Sequence, residues 1–433
     1  MQKAIFWFRQ DLRTYDNRWL IRCILENEEI LPIFILDKNL IEGFWWLEDN
    51  KFWFLRESLE NLSKEIEKLS WKKLNVFYEY PENIIPYLCQ KYDIKKIYAN
   101  KSYSRYWKER DKKIKELTNV EFILEKDFLI VEPEDIIQMK VFTPFSKRWK
   151  DKEKDLRELT PNNFKKLEIE ENFESSDFIK IEKHPYFTLD FWKKRLLNNV
   201  SAKYDEIRNN LDIDWTSKIS PYLRFWVFSI RQIYNAWVKN ATFINELIWR
   251  EFWQHIDYYF PECKKHEFQE NKRHIKWEKN DFLFERWCEW KTWYPVVDAC
   301  MKQLLETNRM HGRWRMIVAS FLTKDLHIDW RLWEAFFKKH LLDYDENMNF
   351  WNWQWSASVW ADPKPLRIFS PILQSQKFDS EAKFIKKYLP ELEWQDLKAI
   401  HNPLENNLEY LRIIVDHRVE QKVARERYKK NLD

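Results

Sequence analysis

Short apolar runs alternate with amphipathic stretches over the first 130 residues. The runs rich in β-branched and aromatic residues predict five buried strands, at 4–8, 31–36, 74–78, 96–99 and 121–124. Between them, apolar residues recur with the period of a helix, most clearly over 50–69 and 81–92. Because strands that alternate with helices build a parallel sheet, we predict an α/β Rossmann-like domain at residues 1–131. No GxGxxG follows the first strand, which argues against ordinary NAD binding.

The pattern changes twice further along the chain. Residues 132–189 are polar, contain four prolines and predict an irregular interdomain linker. Beyond residue 190 nearly every segment has helical periodicity, without a fixed repeat length. We therefore predict a large all-α domain at 190–433.

Bulk properties exclude several classes of protein. The 433 residues contain no run of about 18 apolar residues and no signal peptide at the N-terminus, so we expect a cytoplasmic protein with no membrane partner. The five cysteines lack CxxC pairing, which predicts reduced thiols and no metal site. The net charge of +4 is too small to indicate nucleic acid by itself.

Glycine and tryptophan have abnormal frequencies. An average protein of this length would hold about 30 glycines, yet this chain has 2, Gly43 and Gly312, beside 26 tryptophans. A fold this long needs many backbone positions with φ > 0, which tryptophan does not favour. We therefore hypothesise that many of these tryptophans stand where the organism reads a UGA codon as glycine.

Ordered motifs in the helical half carry a family resemblance. They occupy 216–225, 246–252, 291–299, 310–316, 324–331, 349–355, 367–371 and 377–379. Together with the opening segments 7–13 and 16–17, they resemble the photolyase/cryptochrome family over nearly the whole chain, and most closely the class I cyclobutane pyrimidine dimer photolyases. The resemblance implies a carbon–carbon lyase that holds FAD in its helical domain and acts on damaged DNA containing pyrimidine dimers.

Residues 216–220 suit the pyrophosphate of FAD on physical grounds. Hydroxyl and N–H groups before a proline-initiated helix can bind an anion, although ordinary helix capping explains the same residues. The resemblance favours the cofactor, and also places Asn349 beside flavin N5, where a neutral amide can hydrogen-bond a protonated nitrogen. The implied FAD-binding residues are Tyr204, Thr216, Ser217, Lys218, Ile219, Ser220, Arg315, Asp343, Tyr344, Asp345 and Asn349.

Three tryptophans match the family's electron-transfer chain. Trp353, Trp330 and Trp277 would carry an electron towards the flavin from the surface, because indole is easily oxidised. Without the resemblance, three core aromatics explain them equally well.

The implied DNA-binding residues fall in several motifs. They are Arg208, Glu246, Trp249, Arg250, Gly312, Arg313, Trp355 and Gln374. Photolyases flip their target out of the duplex, and Glu246 and Trp249, three apart on one predicted helix, could supply a carboxyl group and an aromatic wall. A helix-start acid and a core anchor would have the same spacing. Glu246 would stabilise charge on the dimer carbonyl.

Two departures from the family bear on specificity. A family tryptophan is Arg309 here and a lesion-side asparagine is Gly312, which weakens the predicted contact at Gly312. The catalytic histidines of a (6-4) photolyase would fall at Gly312 and Met316, and neither is histidine. We therefore predict light-driven repair of cyclobutane dimers by a monomer. The alternative is a cryptochrome-like blue-light receptor without repair activity, and the antenna chromophore could be methenyltetrahydrofolate, a deazaflavin or nothing.

The resemblance also sorts the tryptophans. Eleven fall where glycine or another small residue is usual: Trp19, Trp71, Trp107, Trp215, Trp226, Trp290, Trp293, Trp314, Trp333, Trp351 and Trp360. Six coincide with family tryptophans: Trp249, Trp277, Trp287, Trp330, Trp353 and Trp355.

The gene sequence tests this sorting. We expect UGA codons at the eleven small-residue positions and UGG at the six family positions. UGG codons at the eleven positions would contradict the hypothesis.

Overall fold

The structure is a computed structural model that describes residues 2–41, 50–101, 105–170, 204–209, 217–361, 366–405 and 414–429. Thr216 and Trp215 lie outside these ranges. Contacts divide the chain into two units. The first unit is Met1–Ile136, Trp149–Asn199 and Lys218–Leu247, and the second unit is Ile137–Arg148, Val200–Ser217 and Ile248–Asp433. The domain limits given above stay a prediction.

The first unit contains a parallel sheet, which confirms the predicted α/β class. Its strands are β1 (Lys3–Phe8), β2 (Glu29–Asp37), β3 (Asn75–Glu79), β4 (Lys96–Asn100), β5 (Glu121–Glu125) and the short β6 (Lys165–Lys166). The order is β3-β2-β1-β4-β5, with β6 also paired to β2, and every pairing is parallel. The order reverses direction between β1 and β4, and that is where doubly wound sheets place their ligands.

Helices pack on this sheet because β1 is apolar on both faces. Ala4, Phe6 and Phe8 enter one buried cluster, while Ile5 and Trp7 enter the other. The helices of the first unit are α1 (Arg18–Glu26), α2 (Lys38–Ile41), α3 (Asn50–Ser70), α4 (Pro81–Tyr92) and α5 (Arg105–Leu117), followed further along the chain by α8 (Ser220–Arg224) and α9 (Ile230–Trp237). The predicted strands and the helices at 50–69 and 81–92 thus agree with the structure to within two residues.

In its described residues, 132–170, the predicted irregular linker contains one α-helix, α6 (Phe142–Asp151), and a 3-10 turn at Pro133–Asp135. Phe145 and Trp149, four residues apart, are both buried and give this helix an apolar stripe that the four nearby prolines obscured in the sequence. The expectation of an irregular connection therefore fails over these ten residues. The linker's described remainder, up to residue 170, is otherwise largely without regular structure.

The described part of the second unit is helical, as predicted. After α7 (Tyr204–Ile207), its helices are α10 (Ala241–Tyr259, shared with the first unit), α11 (Asp281–Cys288), α12 (Pro295–Thr307), α13 (Gly312–Ser320), α14 (Trp330–His340), α15 (Glu346–Ser356), α16 (Pro371–Phe378), α17 (Lys383–Tyr388), α18 (Leu397–His401) and α19 (His417–Lys429). A π-turn, Phe321–Asp325, continues α13. Among the described residues, no helix is long and apolar enough to cross a membrane and no cluster of His, Cys, Asp or Glu suits a metal ion. All five cysteines are free thiols.

Four of the described tryptophans have left-handed backbones. Trp71, Trp226, Trp290 and Trp293 have φ of 61°, 45°, 53° and 64°, and each belongs to the eleven small-residue positions. Trp71 follows the last residue of α3 and donates its N–H to the Glu67 carbonyl at 2.8 Å, the usual place of glycine after a helix. A non-glycine residue in this conformation costs roughly 1–2 kcal/mol, so the backbone supports the recoding hypothesis at these positions.

Crowded side chains support the recoding hypothesis at other tryptophan positions. The rings of Trp333 and Trp353 have centroids 2.8 Å apart, closer than the roughly 4.5–7 Å of aromatic pairs. Buried indole N–H groups without a hydrogen-bond partner occur at Trp293, Trp314, Trp333 and Trp351, and also at the family tryptophan Trp287. A small residue at 333 would relieve the contact with Trp353, which occupies a family position.

Replacing Trp71 by glycine should therefore stabilise the protein. Because Trp71 is 83% exposed, Trp71→Gly loses little packing and removes strain of about 1 kcal/mol. Trp394→Gly is the matched control, because Trp394 is 94% exposed but lacks the left-handed backbone. Thermal unfolding should show a raised Tm for Trp71→Gly and an unchanged or lowered Tm for Trp394→Gly. An equal shift in both variants would count against the backbone argument.

Candidate functional site

In the first unit, buried charges gather at the carboxyl edge of the sheet. Arg9 follows β1, contacts Asp111 through two hydrogen bonds of 2.7 and 3.0 Å and donates to the carbonyl of Asn100 at the end of β4. Arg110 pairs at 3.1 Å with Asp37, the last residue of β2. Burial and the neighbouring Arg9 lower the pKa of Arg110 to about 10. Two guanidinium groups thus face the switch point of the sheet.

These groups line a small cavity. Trp7 and Trp107 form its aromatic walls beside Arg9, Arg110 and Asp37. The cavity has a volume of about 80 Å³, which is too little for a pterin or a flavin. Trp107 is one of the eleven small-residue positions, and the volume of its indole would be free if residue 107 were glycine.

A buried ion-pair network fixes the segment after residue 217 within the first unit. Arg231 on α9 pairs with Asp16 and Asp127, each at 2.7 Å, and Arg13 pairs with Asp127 at 2.6 Å. All four side chains are almost fully buried. Removing one partner would leave an uncompensated buried charge, which is strongly destabilising.

The predicted pyrophosphate segment lies beside this network in sequence. Lys218 has a left-handed φ of 53°, and α8 begins at Ser220 with Pro221 in its first turn. Ile219 is buried and Ser220 is exposed. Lys218, Ile219 and Ser220 belong to the first unit, Ser217 belongs to the second, and Thr216 lies outside the described residues.

In the second unit, Arg315 and Asp343 form the predicted pair. One guanidinium nitrogen of Arg315 lies 2.9 Å from both carboxylate oxygens of Asp343, and its Nε donates to the Met310 carbonyl at 2.8 Å. These contacts fix a planar cation beside a carboxylate. Such a pair can orient polar groups of a flavin ring.

Glu334 joins two further predicted residues. Its Oε1 accepts a hydrogen bond from the Tyr344 hydroxyl at 2.9 Å and from the Asn349 amide at 3.1 Å. Burial, and then the charge of Glu334, raise the pKa of Tyr344. The Asn349 Oδ1 in turn accepts from the indole N–H of Trp353 at 2.8 Å. Asn349 is therefore held in one orientation by partners on both ends of its amide.

Asp345 begins α15. Its Oδ1 accepts the Met348 backbone N–H at 3.0 Å and also faces the Gln254 amide at 3.4 Å. Gln254 accepts a hydrogen bond from Asn347 at 2.8 Å. The helix cap thus explains this aspartate without a ligand, and its predicted role towards the ribityl chain stays a prediction.

Trp330 and Trp277 share one carboxylate oxygen. Glu267 Oε1 accepts the indole N–H of Trp277 at 3.2 Å and that of Trp330 at 3.4 Å. Trp330 is fully buried at the start of α14, whereas Trp277 is half-buried. Two of the three predicted electron-transfer residues therefore lie together, and the third, Trp353, is tied to Asn349.

The predicted DNA contacts Arg208 and Arg313 are also brought together. His311 donates from Nε2 to the Arg208 carbonyl at 3.0 Å and accepts the Arg313 N–H at Nδ1 at 3.0 Å. Arg313 reaches Asn209 at 2.9 Å and lies over the ring of Phe378, on the same helix as Gln374. Gly312, the first residue of α13, is exposed, and no atom lies within 4 Å of where its Cβ would be. These residues form one basic surface cluster, which we call the arginine cluster.

The other predicted lesion contacts are distributed more widely. Glu246, Trp249 and Arg250 all lie on α10, with Glu246 exposed and Arg250 buried. Trp249 stacks on Phe142, with centroids 3.5 Å apart and planes within 3°. Trp355 on α15 lies beneath the guanidinium of Arg367 at 4.9 Å.

The donor set of the second unit fits FAD. A fixed guanidinium–carboxylate pair, an oriented neutral amide at Asn349 and the buried Tyr204 supply the polar groups that an isoalloxazine and its side chain require. Trp351 is fully buried between Phe350 and Trp360 at the centre of α15. A glycine there would free the volume of an indole beside Phe350 and Trp360.

Sequence reasoning missed three residues that organise the site. Glu334, Glu267 and His311 each hold predicted residues in place without matching a predicted role. Glu334 had a detectable signal, because it lies four residues after Trp330 on a largely apolar helix. The sharing of Glu267 depends on contacts between distant segments, which no local pattern reveals.

The chain is similar over nearly its whole length to known proteins. The family model for the DNA photolyase matches residues 4–163, and the FAD binding domain of DNA photolyase matches residues 243–430. A deoxyribodipyrimidine photo-lyase of Synechococcus is 32% identical over 426 residues, which are 90% of this chain and 88% of the relative. An archaeal photolyase from Sulfolobus tokodaii, solved with two FAD molecules, shares 31% identity with a TM-score of 0.89, covering 99% and 100% of the chains. A Synechocystis cryptochrome shares 25% identity with a TM-score of 0.85, covering 98% and 99%.

A parallel α/β unit combined with a helical FAD-binding unit defines the flavin-dependent photoenzymes of this architecture. The chain belongs to the DNA photolyase family. Its cofactor is FAD.

His311 should remain neutral far below its ordinary pKa. Burial, followed by the charge of Arg309, lowers the pKa of His311 from 6.5 to about 3, in agreement with a tautomer that donates from Nε2 and accepts at Nδ1. Because the unfolded chain takes up this proton near pH 6.5, the stabilisation is complete above that pH and is lost as pH falls towards 3. We expect each pH unit in this window to lower the free energy of unfolding by at most about 1.4 kcal/mol for this residue.

NMR titration of the imidazole is the direct measurement. We expect the His311 signals to keep the Nε2–H pattern from pH 8 to pH 5. In His311→Gln, the pH dependence of the free energy of unfolding should be shallower over the same range. A His311 midpoint near 6.5 would show that the imidazole is not held as the structure describes.

Proposed function

We propose that the protein repairs cyclobutane pyrimidine dimers in DNA with blue light. The observation that carries the proposal is Asn349, whose amide is oriented by Glu334 on one end and by Trp353 on the other. A fixed neutral amide can hydrogen-bond the protonated N5 of a reduced flavin, which is the form that repair requires. The relatives named photo-lyase support the same activity.

The chemistry divides between the cofactor and the protein. FAD, when bound in its fully reduced form, would supply the light-driven one-electron chemistry that opens the cyclobutane ring of the dimer. Glu246, exposed on α10, would stabilise the charge that develops on a pyrimidine carbonyl. Arg315, held by Asp343, and Asn349 would orient the flavin ring.

The arginine cluster suits the DNA backbone. The backbones of Arg208 and Arg313 both bond to the neutral His311, and the charges of Arg309 and Arg315 act on the same imidazole, so the cluster is rich in cations. Such side chains contact phosphates with little sequence preference. Exposed Gly312 beside them leaves room for a flipped nucleotide, because it adds no side chain.

Trp353, Trp330 and Trp277 would serve reduction of the flavin by light. Their ties to Asn349 and Glu267 hold each indole N–H, so that the rings keep fixed positions for electron hopping. They are not required for the transfer to the dimer itself.

The second candidate function is a blue-light receptor without repair activity. The likeness to a cryptochrome over nearly the whole chain favours it. Asn349 argues against it, because plant cryptochromes carry Asp and animal ones Cys at that place in the family resemblance.

An antenna chromophore would belong in the cavity of the first unit. Arg9 and Arg110 offer cations to an anionic ligand at the switch point of the sheet. With tryptophan at position 107, the cavity excludes methenyltetrahydrofolate and deazaflavin, and with glycine there it gains the volume of an indole. The Sulfolobus tokodaii photolyase with two FAD molecules shows that such a protein can hold a second chromophore.

The test is light-dependent repair. Purified protein with chemically reduced FAD should restore thymines in a dimer-bearing oligonucleotide under blue light and not in the dark. Glu246→Gln should lower the repair rate roughly tenfold, because one hydrogen bond to a charged group is lost at the dimer.

Glu306→Gln is the matched control, because Glu306 is an exposed glutamate on α12. It should repair at the original rate. Absence of repair by a reduced protein made with glycine at the recoded positions would refute the proposed enzyme and favour the receptor.

A further inference from the structure

Glu267 is buried where two indoles and one guanidinium meet. It is 6% exposed, and its Oε1 accepts from Trp277 and Trp330 and pairs with Arg331 at 2.9 Å. Because both indole nitrogens lie within 3.4 Å of that one atom, they can be no further apart than twice that distance. A single carboxylate therefore joins the middle and outer members of the predicted electron-transfer chain.

The backbone reinforces this junction. Glu278, next to Trp277, forms an isolated parallel bridge with Ile328, two residues before Trp330, and donates its N–H to the His327 carbonyl at 2.8 Å. The two tryptophans are about fifty positions apart in sequence, yet their segments are fixed side by side. The backbone therefore holds both indoles at the carboxylate of Glu267.

Arg331 places a positive charge against Trp330 that the carboxylate of Glu267 offsets. Its guanidinium lies over the face of Trp330, 4.6 Å from the ring centroid. A cation in that place favours the neutral indole and opposes its oxidation, because the oxidised ring is itself positive. Asp329 also pairs with Arg331 but is half-buried and better solvated.

The carboxylate is ionised. Burial alone would raise the pKa of Glu267, but the hydrogen bond and charge of Arg331 bring it below its ordinary value. The anion therefore balances Arg331 next to both rings.

We propose that Glu267 is a positioning residue for flavin photoreduction, which lowers the cost of oxidising Trp330 and Trp277 by accepting both indole N–H groups and by neutralising Arg331. The proposal rests on the electron-transfer role given to these tryptophans above. One electron passes to the flavin from Trp353, the oxidised site moves to Trp330 and then to Trp277, and a thiol reductant in solution returns one electron to Trp277. Glu267 gains and loses no electron.

Flash spectroscopy of the protein with oxidised FAD tests the proposal. Glu267→Gln keeps the shape of the side chain but loses the charge, so the yield of long-lived oxidised tryptophan should fall roughly tenfold. Glu267→Asp, which keeps the charge, should recover part of the yield. Glu278→Gln is the matched control, because Glu278 is next to Trp277 in sequence but its carboxylate pairs with Arg427 and is half-exposed. This variant should retain the original yield.

A double variant separates electrostatics from structure. Glu267→Gln combined with Arg331→Gln removes both charges and should restore most of the yield, whereas a merely structural role predicts no recovery. If Glu267→Gln does not fold, Arg331→Gln alone should raise the yield of oxidised Trp330. A second readout needs no flavin: oxidation of the apoprotein by an externally generated one-electron oxidant should give less tryptophan radical in Glu267→Gln than in the original chain.

The outcomes are distinguishable from failure of the proposed function. If the original protein forms no oxidised tryptophan on excitation, the electron-transfer chain itself is wrong, whatever Glu267 does. If it forms oxidised tryptophan and Glu267→Gln matches it, or the double variant stays low, the role of Glu267 is overturned.

Discussion

Carboxylates that accept several hydrogen bonds at once hold several of the candidate functional residues. Glu334 fixes Tyr344 and Asn349, and Glu267 fixes Trp277 and Trp330. Asp127 does the same for two arginines in the first unit. A hydrogen bond to an ionised group is roughly twice as strong as one between neutral groups, and each buried carboxylate must be fully paired to remain ionised. The need to pair each buried carboxylate therefore fixes the positions of the residues around it. Loss of any partner is expected to destabilise the protein.

Much of the fold could be predicted from local patterns. Five strands and two long helices followed from period and composition, because buried parallel strands are apolar runs bounded by polar turns. Helix α6 could not be found in this way, since its apolar stripe lies among prolines and charged residues. In the site, Asn349, Arg315 and Trp353 were found by family resemblance. Their partner Glu334 could have been predicted, because it lies four residues after Trp330 on α14.

Long-range pairing explains what sequence reasoning missed. Glu267 contacts Trp330 across 63 residues, and His311 contacts Arg208 across 103. Neither pairing leaves a periodic or motif signal, because the partners come from different helices and loops. The opposite holds for the left-handed tryptophans, whose improbable conformation is visible only once the backbone is known, although their abundance is visible in the composition. The composition suggested recoding, and four positive φ angles show at which tryptophans the backbone favours glycine.

The sharing of Glu267 has a consequence for how such a chain can vary. In the role proposed for Glu267, the redox behaviour of two tryptophans depends on a residue that is neither aromatic nor next to Asn349 in sequence. A single codon change at position 267 could therefore retune how readily the protein is brought to its reduced state, while all three tryptophans stay in place. An inventory of the three tryptophans alone would not detect the difference. Such a change would leave the side chains proposed to contact DNA in place.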